Sequence, residues 1–453
     1  MFRMSWNERA QWGSRAGASR RDLLRVGMLG LGGLTLPEML RAESTGAVQD
    51  RGTAILLLFV HGGPSHLETY DMKPEATSEI RGPFFPIPTC VPGIDVCEHL
   101  PKHAAIADKF TLLRSCTHDE ADHFAGHRRF LSGYGKLKPG TNYESYHPQA
   151  GAVINRLLQA RLQGLPPAIA VGGVIANGPD YAAGVSEGYW SGQYRVPIVQ
   201  GGLQNATLTV APERLADRLG VQKDFDRLRR DLDSRGTMDV IDEFNRRAIE
   251  IVTSGRAQKA FDLTQESSET LARYGEGYGR EVLTARRLIE AGVRFVTVRA
   301  PGGGPGTKAY DWDDHAVNWD MREAMLARLP QYDQVVSTLI RDLDERGLSE
   351  RVLLIVTGEF GRTPRLEQRD GRIGRDHWPG AMSILISGGG FRMGQVIGQT
   401  DAIGARPSER PFDPQDFLAT MYRFLGIDPT YQIQDPAGRP IPLSTGKPLP
   451  YLM

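Results

Sequence analysis

The stretch Ala54-Ile-Leu-Leu-Leu-Phe-Val60 decides the fold of this chain, because it is apolar throughout and ends at His61-Gly62-Gly63. An apolar run of this length, bounded by glycines, predicts a strand that is buried on both faces. Such strands are typical of parallel sheets covered by helices. Similar runs occur at residues 293–298, 352–356 and 383–386. The sequence therefore predicts several buried strands in one parallel sheet.

Helical patterns lie between the predicted strands. One covers residues 283–290. A longer one covers residues 326–346, where apolar residues recur at about 3.6-residue spacing and Gly347 follows as a stop signal. Alternating buried strands and helices predict an α/β fold, in which a doubly wound, mostly parallel sheet is flanked by helices.

The α/β domain is predicted to extend over residues 50–430. Within it, residues 213–280 are polar and helix-patterned, which predicts a helical excursion at one edge of the domain. Residues 170–210 are rich in glycine, tyrosine and valine and predict irregular loops or a hairpin. The proline-rich residues 431–453 are predicted to form an extended tail.

Residues 1–42 do not have the pattern of a folded domain. Ser19-Arg20-Arg21-Asp22 places two arginines before an apolar run that ends at Leu36. This run has the length of a signal-peptide core and is too short to span a bilayer. The segment resembles a Tat-type signal and predicts a periplasmic or otherwise exported protein; an amphipathic N-terminal helix is the alternative. No other apolar stretch in the sequence is long enough for a transmembrane helix.

The charge and cysteine content argue against two broad classes of protein. The 453 residues include 54 basic and 54 acidic side chains, and this balance argues against binding of nucleic acid through bulk positive charge. The three cysteines form no paired motif, which argues against a metal site made of thiolates.

Histidines and carboxylates concentrate near the ends of the predicted strands. Seven of the ten histidines lie in four segments, residues 61–71, 115–127, 311–315 and 374–379. Ligands of open α/β sheets bind beyond the carboxyl ends of the strands, so these segments are expected to meet at one edge. Imidazole and carboxylate groups together suit Zn, Mn or Fe, and carboxylate-rich sites also suit Mg or Ca. The pattern therefore predicts a divalent-metal site.

Some of the candidate residues have an ordinary structural alternative. His123 and His127 share one helix face at i, i+4 and can bind a metal together, but this spacing is often incidental. Asp313 and His315 on one loop can be two ligands or part of a turn with an Asx hydrogen bond.

The same holds for the later segments. Glu359 can be a ligand or a neighbour of a helix N-cap, and Arg362 can bind an oxyanion or pair with Glu359. Asp376-His377 can be a carboxylate–imidazole ligand pair or part of a solvated loop. Taken together, in the same relation to the predicted strands, the candidates favour a metal site. Its predicted ligands are His61, Asp313, His315, Glu359, Asp376 and His377.

Four motifs are characteristic in combination: His61-Gly-Gly-Pro-Ser-His-Leu-Glu-Thr-Tyr-Asp71, Trp312-Asp-Asp-His315, Gly358-Glu-Phe-Gly-Arg-Thr-Pro364 and Gly374-Arg-Asp-His-Trp-Pro379. They resemble the bacterial exported family called domain of unknown function 1501, and the resemblance runs from about residue 20 to the C-terminus. That family is similar to the alkaline phosphatase and arylsulfatase superfamily. The resemblance therefore implies an alkaline phosphatase-like fold, although it implies no activity by itself.

The superfamily resemblance also implies positions for metal ligands. The acid ligand that ends the first strand falls at His61, the Asp and His of a later loop fall at Asp313 and His315, and the late histidine falls at His377. The Asp-His pair after the next strand falls at Glu359-Phe360, of which only the glutamate can bind a metal. This departure suggests one metal in place of the usual two.

The superfamily nucleophile is a Ser, Thr or modified Cys ahead of a helix, and its position falls near Asp122 or His123. No hydroxyl stands there. A covalent route through that position is therefore in doubt, and three options stay open. Ser65, Ser115 or Thr117 serves instead, a metal-activated water attacks directly, or the protein is a catalytically silent relative.

The leading hypothesis is an exported, metal-dependent hydrolase-like protein that acts on a phosphate or sulfate ester of a small molecule or polymer. Arg362 would steady the oxyanion, and His123 and Ser65 are the other catalytic candidates. The alternative is a catalytically silent relative that acts as a binding or assembly protein, which the missing nucleophile favours. The resemblance also implies a large exported cytochrome-like protein as a partner.

Overall fold

The computed structural model describes residues 48–136, 145–158, 165–172, 184–199, 255–300 and 308–452. The predicted signal segment, residues 1–42, lies outside the described residues. Residues 213–254 of the predicted helical excursion also lie outside them.

The strands are short outside the central sheet. They are β1 (Ala54–Phe59), β2 (Pro86–Pro88), β3 (Asp95–Cys97), β4 (Thr111–Cys116), β5 (Ala168–Val171), β6 (Ile198–Val199), β7 (Phe295–Arg299), β8 (Val352–Thr357), β9 (Gly361–Arg362), β10 (Glu367–Arg369), β11 (Arg372–Gly374), β12 (His377–Trp378), β13 (Met382–Gly388), β14 (Gln395–Ile397), β15 (Gln399–Thr400), β16 (Pro407–Glu409), β17 (Gln432–Gln434) and β18 (Pro440–Pro442). The α-helices are α1 (Ser78–Arg81), α2 (Pro101–Ala104), α3 (His123–Ser132), α4 (Ala150–Leu158), α5 (Gly255–Phe261), α6 (Ser268–Tyr274), α7 (Tyr278–Glu290), α8 (Met321–Glu345) and α9 (Pro414–Phe424).

The central sheet has the strand order β14-β4-β13-β8-β1-β7-β5-β6. Strand β1 pairs in parallel with β7 on one side and with β8 on the other. Strands β5 and β6 continue the parallel pairing beyond β7. The sheet is therefore mostly parallel, as the continuous apolar run at its centre predicts.

Both faces of the sheet are covered, and the alternation of side chains along β1 divides the core in two. Leu56 and Leu58 pack in one cluster with residues of α7 and α8. Ile55, Leu57 and Phe59 pack in the other cluster with residues of α3, α4 and α9. Successive side chains of a strand point to opposite faces, so these two clusters confirm the doubly wound arrangement.

The predicted run at residues 383–386 is strand β13, but its direction differs from the prediction. It is antiparallel to both of its neighbours, β8 and β4. A strand buried on both faces has a similar composition in either direction, so the apolar run carried no signal for this reversal. With β13 reversed between them, β4 and β8 run the same way, and their carboxyl ends lie at the same edge of the sheet.

Four strands of the central sheet were not predicted from the sequence: β4, β5, β6 and β14. Strand β4 carries Arg114 in its middle, which interrupts the apolar run. Strand β5 has only four residues. The described parts of the 170–210 segment include the end of β5 and the whole of β6, which pair in parallel rather than as a hairpin.

Helices α7 and α8 confirm the two predicted helices, and each begins before the predicted start. The first turn of α8 carries the buried Met321 and Ala324, and Asp320 caps it by accepting a hydrogen bond from the Glu323 amide at 3.0 Å. The described end of the predicted excursion, residues 255–280, contains α5 and α6.

The proline-rich tail contains a short hairpin, because β17 and β18 pair antiparallel. Ile433, Leu443 and Leu449 are buried in the cluster on the α9 face of the sheet. Among the described residues, no helix combines the length and the apolar character that crossing a membrane requires.

Candidate metal centre

The polar segments meet at the carboxyl edge of the central sheet. His61 follows β1 and Glu359 follows β8, while His123 is the first residue of α3, in the connection after β4. Asp313 and His315 lie on the connection from β7 to α8. The loops that carry these side chains thus follow strands that point the same way, as the fold requires of a site at this edge.

Four side-chain atoms converge at the middle of this edge. The Asp313 Oδ1 atom lies 3.2 Å from His123 Nε2, 2.9 Å from His315 Nε2 and 3.0 Å from His377 Nε2. The His315 and His377 Nε2 atoms are 2.9 Å apart. We call these four residues the His3Asp cluster.

The other ring nitrogen of each histidine in the cluster is held by an acceptor. His123 Nδ1 lies 2.7 Å from Glu359 Oε1, and His315 Nδ1 lies 2.7 Å from Asp376 Oδ1. His377 Nδ1 lies 2.7 Å from the backbone oxygen of Ala121. A histidine that binds a metal through one nitrogen normally donates the other N–H to a carboxylate or a backbone carbonyl, which fixes the tautomer and the ring orientation. All three imidazoles meet this condition.

The spacing and chemistry of the His3Asp cluster fit a divalent metal. Nitrogen and oxygen ligands lie about 2.0–2.2 Å from zinc, so neighbouring ligand atoms of a tetrahedral ion are about 3.4 Å apart. Four of the six donor pairs are 2.9–3.2 Å apart, close to that value, and the donor atoms of His123, Asp313 and His377 all lie within 4.8 Å of one another. Three imidazoles with one carboxylate suit Zn, Mn or Fe better than Mg or Ca, which prefer oxygen ligands.

The electrostatics of the cluster are dominated by one carboxylate among several donors. Burial alone would raise the pKa of Asp313, but hydrogen bonds from the three histidines and the nearby charge of Arg362 hold it well below its usual range. Burial opposes a charge on His123, yet its hydrogen bonds to Asp313 and Glu359 raise its pKa to about 9. Burial dominates at His377 and lowers its pKa. The site is thus built around a permanently ionised Asp313.

A second layer of titratable groups lies behind His123. His61 Nδ1 is 3.6 Å from Glu359 Oε1, and both side chains are buried. Burial lowers the pKa of His61 to about 4 and that of His127 to about 3. Burial would raise the pKa of Glu359, but the charges of His61 and His123 outweigh it and lower the value to about 2. Glu359 is therefore an anion that faces neutral and charged imidazoles.

Arg362 does not face outward to receive an oxyanion. Its side chain is fully buried and donates to the backbone oxygens of Gly62, Gly63, Trp312 and Arg375. Its Nη2 also donates to Asp313 Oδ1 at 2.7 Å. The expectation that Arg362 steadies an oxyanion is therefore revised, because its three side-chain nitrogens already donate to Asp313 and to two loops.

Two buried ion pairs anchor the loops on either side of the cluster. Asp314, between Asp313 and His315, accepts from Arg328 of α8, and neither side chain of the pair is exposed to solvent. Arg375, which precedes Asp376-His377, donates to Glu68 with nitrogen–oxygen distances of 2.6–3.0 Å.

The two anchored loops also contact each other. The Arg375 amide donates to the Asp314 backbone oxygen at 2.9 Å. Gly62 allows a further close approach, because its φ is +102° and a Cβ there would lie 2.5 Å from the Asp313 nitrogen. The loops that carry Asp313, His315 and His377 are therefore locked to the loop after β1.

The hydroxyls considered as nucleophiles are engaged away from the cluster. The buried Ser65 hydroxyl donates to Glu68, and the Ser115 hydroxyl donates to the backbone oxygen of Arg410 at 2.7 Å. The Thr117 hydroxyl donates to the Pro379 backbone oxygen at 3.5 Å. Ser65 thus belongs to the Glu68–Arg375 anchor.

The structure brings the predicted site residues together in two tiers. Asp313, His315 and His377 belong to the His3Asp cluster, and so does His123, which the sequence offered both as a possible ligand with His127 and as a catalytic candidate. Glu359 and Asp376 contact the Nδ1 atoms of two cluster histidines. His61, Glu359 and His123 also place one donor each within 4.8 Å of one another, as do His315, Glu367 and Asp376.

A family model described as "Protein of unknown function (DUF1501)" matches residues 53–453. The chain belongs to this family. No curated protein matches this DUF1501 chain.

Solved structures similar to the DUF1501 chain are distant in sequence. Alkaline phosphatase from the Antarctic bacterium TAB5 matches with a TM-score of 0.38 and 10% identity, over 84% of this chain and 100% of that one. The PsFucS1 sulfatase from Pseudoalteromonas sp. matches at 0.37 and 12%, over 86% and 70%. The phosphonate monoester hydrolase SpPMH from Silicibacter pomeroyi matches at 0.38 and 10%, over 88% and 76%. Because these matches are remote, the chemistry of the site is inferred from its own strand pairings and side-chain contacts.

Proposed function

We propose that this protein binds a divalent metal ion through His123, Asp313, His315 and His377. The observation that carries the proposal is the approach of three imidazole Nε2 atoms to one carboxylate oxygen, with every Nδ1 atom held by an acceptor. A group of histidines that only fills a core has no reason to share this orientation. The nitrogen-rich donor set favours Zn, Mn or Fe.

We further propose that the centre hydrolyses a phosphate or sulfate ester. A bound divalent ion supplies Lewis-acid chemistry, since it polarises an ester oxygen and makes water a better nucleophile near neutral pH. Arg362 holds the Asp313 carboxylate in place, and Glu359 and Asp376 orient the rings of His123 and His315. The nearby hydroxyls of Ser65 and Ser115 are engaged elsewhere, so the proposal does not depend on a covalent intermediate.

A binding protein without catalysis is the second candidate, and the environment of Arg362 favours it. Each of its three side-chain nitrogens donates to a backbone oxygen, and Nη2 also donates to Asp313. Stabilising the charge that develops on an ester in the transition state requires donors aimed at that charge. Arg362 does not supply them in this arrangement.

We also propose that this protein is exported and that it binds an exported cytochrome-like protein. Export is supported by the two arginines at positions 20 and 21 ahead of an apolar run. The partner is supported by the family resemblance alone. A fusion of residues 1–50 to a reporter tests export, and cytoplasmic retention of that fusion would refute it.

Metal analysis of the purified protein, followed by assays with phosphate and sulfate esters, tests the two functions separately. We expect close to one equivalent of a transition metal in the wild type and little in His315→Ala. His99→Ala is the matched control, because His99 packs on Phe84 and lies outside the cluster. Absence of bound metal from the wild type would refute the metal centre. Bound metal without turnover of any ester would refute the hydrolase and leave the binding protein.

A further inference from the structure

A cavity of about 430 Å³ lies beside the metal centre. We call it the Trp378 cleft; its walls include His118, Trp378, Pro379, Arg406, Pro407 and Pro411. Trp378 directly follows the proposed ligand His377, and the His118 Nε2 atom lies 2.7 Å from the Glu359 backbone oxygen. The cleft therefore shares two of its walls with segments that build the centre.

The apolar wall of the cleft is rigid. The Trp378 Nε1 donates to the backbone oxygen of Ala405 at 2.6 Å, which fixes the indole while leaving it half-buried. Three prolines, whose rings have little rotational freedom, complete this wall. A flat or saturated ring that packs on a fixed aromatic face gains contact area without the cost of ordering flexible side chains.

The polar side of the cleft carries one available cation. The Arg406 side chain is exposed, and among the described residues no carboxylate lies within ion-pair distance of it, whereas Arg410 pairs with Glu409 at 3.2 Å. The Asp401 carboxylate accepts hydrogen bonds from the Ile403 and Ala405 amides.

His118 does not add a charge to the cleft. Its Nε2 donates to the Glu359 backbone oxygen, and its Nδ1 accepts from the Glu120 amide at 3.2 Å. Burial also lowers the pKa of His118. The cleft thus presents a fixed ring-binding face with a single guanidinium at its rim.

We propose that the Trp378 cleft binds a cyclic organic anion, with the ring on the Trp378 indole and the anionic group on Arg406. A carboxylate, sulfate or phosphate group pairs well with a guanidinium. If the metal centre hydrolyses an ester, the cleft would bind the ring of the substrate next to the reacting phosphate or sulfate group. That role rests on the proposed hydrolase, whereas the binding of a cyclic anion to the cleft does not.

Calorimetric titration of the full chain with phenyl sulfate tests the binding. Methyl sulfate is the probe without a ring, and phenol is the probe without a charge. We expect phenyl sulfate to bind more tightly than either, both to the wild type and to chelator-treated protein. Arg406→Ala is expected to weaken phenyl sulfate binding about tenfold, as for the loss of one charge-assisted hydrogen bond.

Three further variants distinguish binding in the cleft from a general loss of charge or stability. Arg392→Ala removes another exposed arginine, close to the amino end of β4, and should leave the affinity unchanged. Trp378→Leu should abolish the preference for phenyl over methyl sulfate, and Trp378→Phe should retain it. Equal affinities of wild type and Arg406→Ala would overturn the proposal, and so would binding that disappears with the metal. Cleft binding without ester turnover would refute the hydrolase and leave the cleft intact.

Discussion

Buried arginines form groups in two regions of this molecule, and the two regions differ in the kind of element that the arginines bind: loops in one and helices in the other. Arg328, Arg362 and Arg375 are all buried beside the His3Asp cluster. Each of them fixes a loop that carries a proposed ligand. Arg328 donates to Asp314, and Arg362 donates to Asp313. Arg375 lies on the loop just before Asp376-His377 and anchors it by donating to Glu68.

The second group is centred on Arg286 of α7, which is also fully buried. It pairs with Glu266 at 2.9 Å, Glu290 at 2.5 Å and Asp342 at 3.1 Å, and so ties α7 to α8 and to the turn after α5. A buried guanidinium therefore does not mark a functional site by itself. Whether a buried arginine supports the site depends on whether its partners lie on a loop of the site or on a helix. Replacing an arginine should therefore change metal binding in the first region and only stability in the second.

The largest expected effect concerns the carboxylate on which the first group converges. Asp313→Ala should lower the affinity for metal by more than about 100-fold, since losses of about 10- to 100-fold are typical when only an outer partner is removed. Equilibrium dialysis with Zn²⁺ measures this. Asp428→Ala, which removes a carboxylate from a turn at Thr430, is the control. Comparable affinities in Asp313→Ala and wild type would refute the His3Asp cluster as the binding site.

Arg328→Met and Arg286→Met test whether the arginine beside the cluster affects metal binding while the arginine on α7 does not. Arg328→Met leaves the buried Asp314 without an ion-pair partner and should lower the free energy of unfolding by about 3–5 kcal/mol in urea titrations. Arg286→Met should lower it by less, because Arg287 still pairs with Glu266 and Arg346 still pairs with Asp342. Only Arg328→Met should also weaken metal binding, by about 10- to 100-fold, because it releases the loop between Asp313 and His315. The Co²⁺ absorption spectrum, which reports ligand geometry, should change in that variant alone. Equal losses of metal affinity in the two variants would remove the distinction between the groups.

A smaller effect is expected at the solvent side of the centre. Asp376→Asn weakens the acceptor that orients His315, and should lower metal affinity by about tenfold. Asp370→Asn is the matched control, because Asp370 is also exposed, in the turn between β10 and β11, and has no contact with the cluster histidines among its described interactions. Isothermal titration with Zn²⁺ compares the two. An unchanged affinity in Asp376→Asn would indicate that this carboxylate does not orient His315.

The smallest effect is expected at Ser65. Ser65→Ala removes one donor to Glu68 but leaves the Glu68–Arg375 pair in place, and should cost about 1 kcal/mol of stability. Metal content and any ester turnover should stay near the wild-type values. Loss of turnover with normal metal content would instead support Ser65 as a nucleophile and would contradict its assignment to the anchor.

The sequence predicted the centre of the sheet well, because β1, β7 and β8 are apolar runs that end in turns. It did not reveal that β13 is antiparallel, because burial on both faces removes the pattern that would distinguish strand directions. It missed β4 because Arg114 interrupts that run. These failures share a cause: strand pairing is a tertiary property, whereas the apolar pattern is local.

The candidate site was predicted in part for similar reasons. Asp313, His315 and His377 stand out because each lies in a motif that follows a strand. His123 was counted with the catalytic candidates, since only the fold brings the first residue of α3 to face Asp313. The Asp122 side chain that caps α3 is the local signal that could have placed His123 at a helix start facing this edge. Nothing in the sequence indicated that Arg362 is buried and hydrogen-bonded, because most of its partners are backbone oxygens, which every residue has.

The four donors of the His3Asp cluster come from distant parts of the chain, since His123 begins α3 and His377 lies in β12. No fragment that ends before β12 contains all of them. A metal ion would therefore find its complete set of ligands only after six of the eight central strands have been synthesised. The proposed metal would accordingly be loaded late in biogenesis, and a loaded centre would report that the chain has been synthesised and folded through β12.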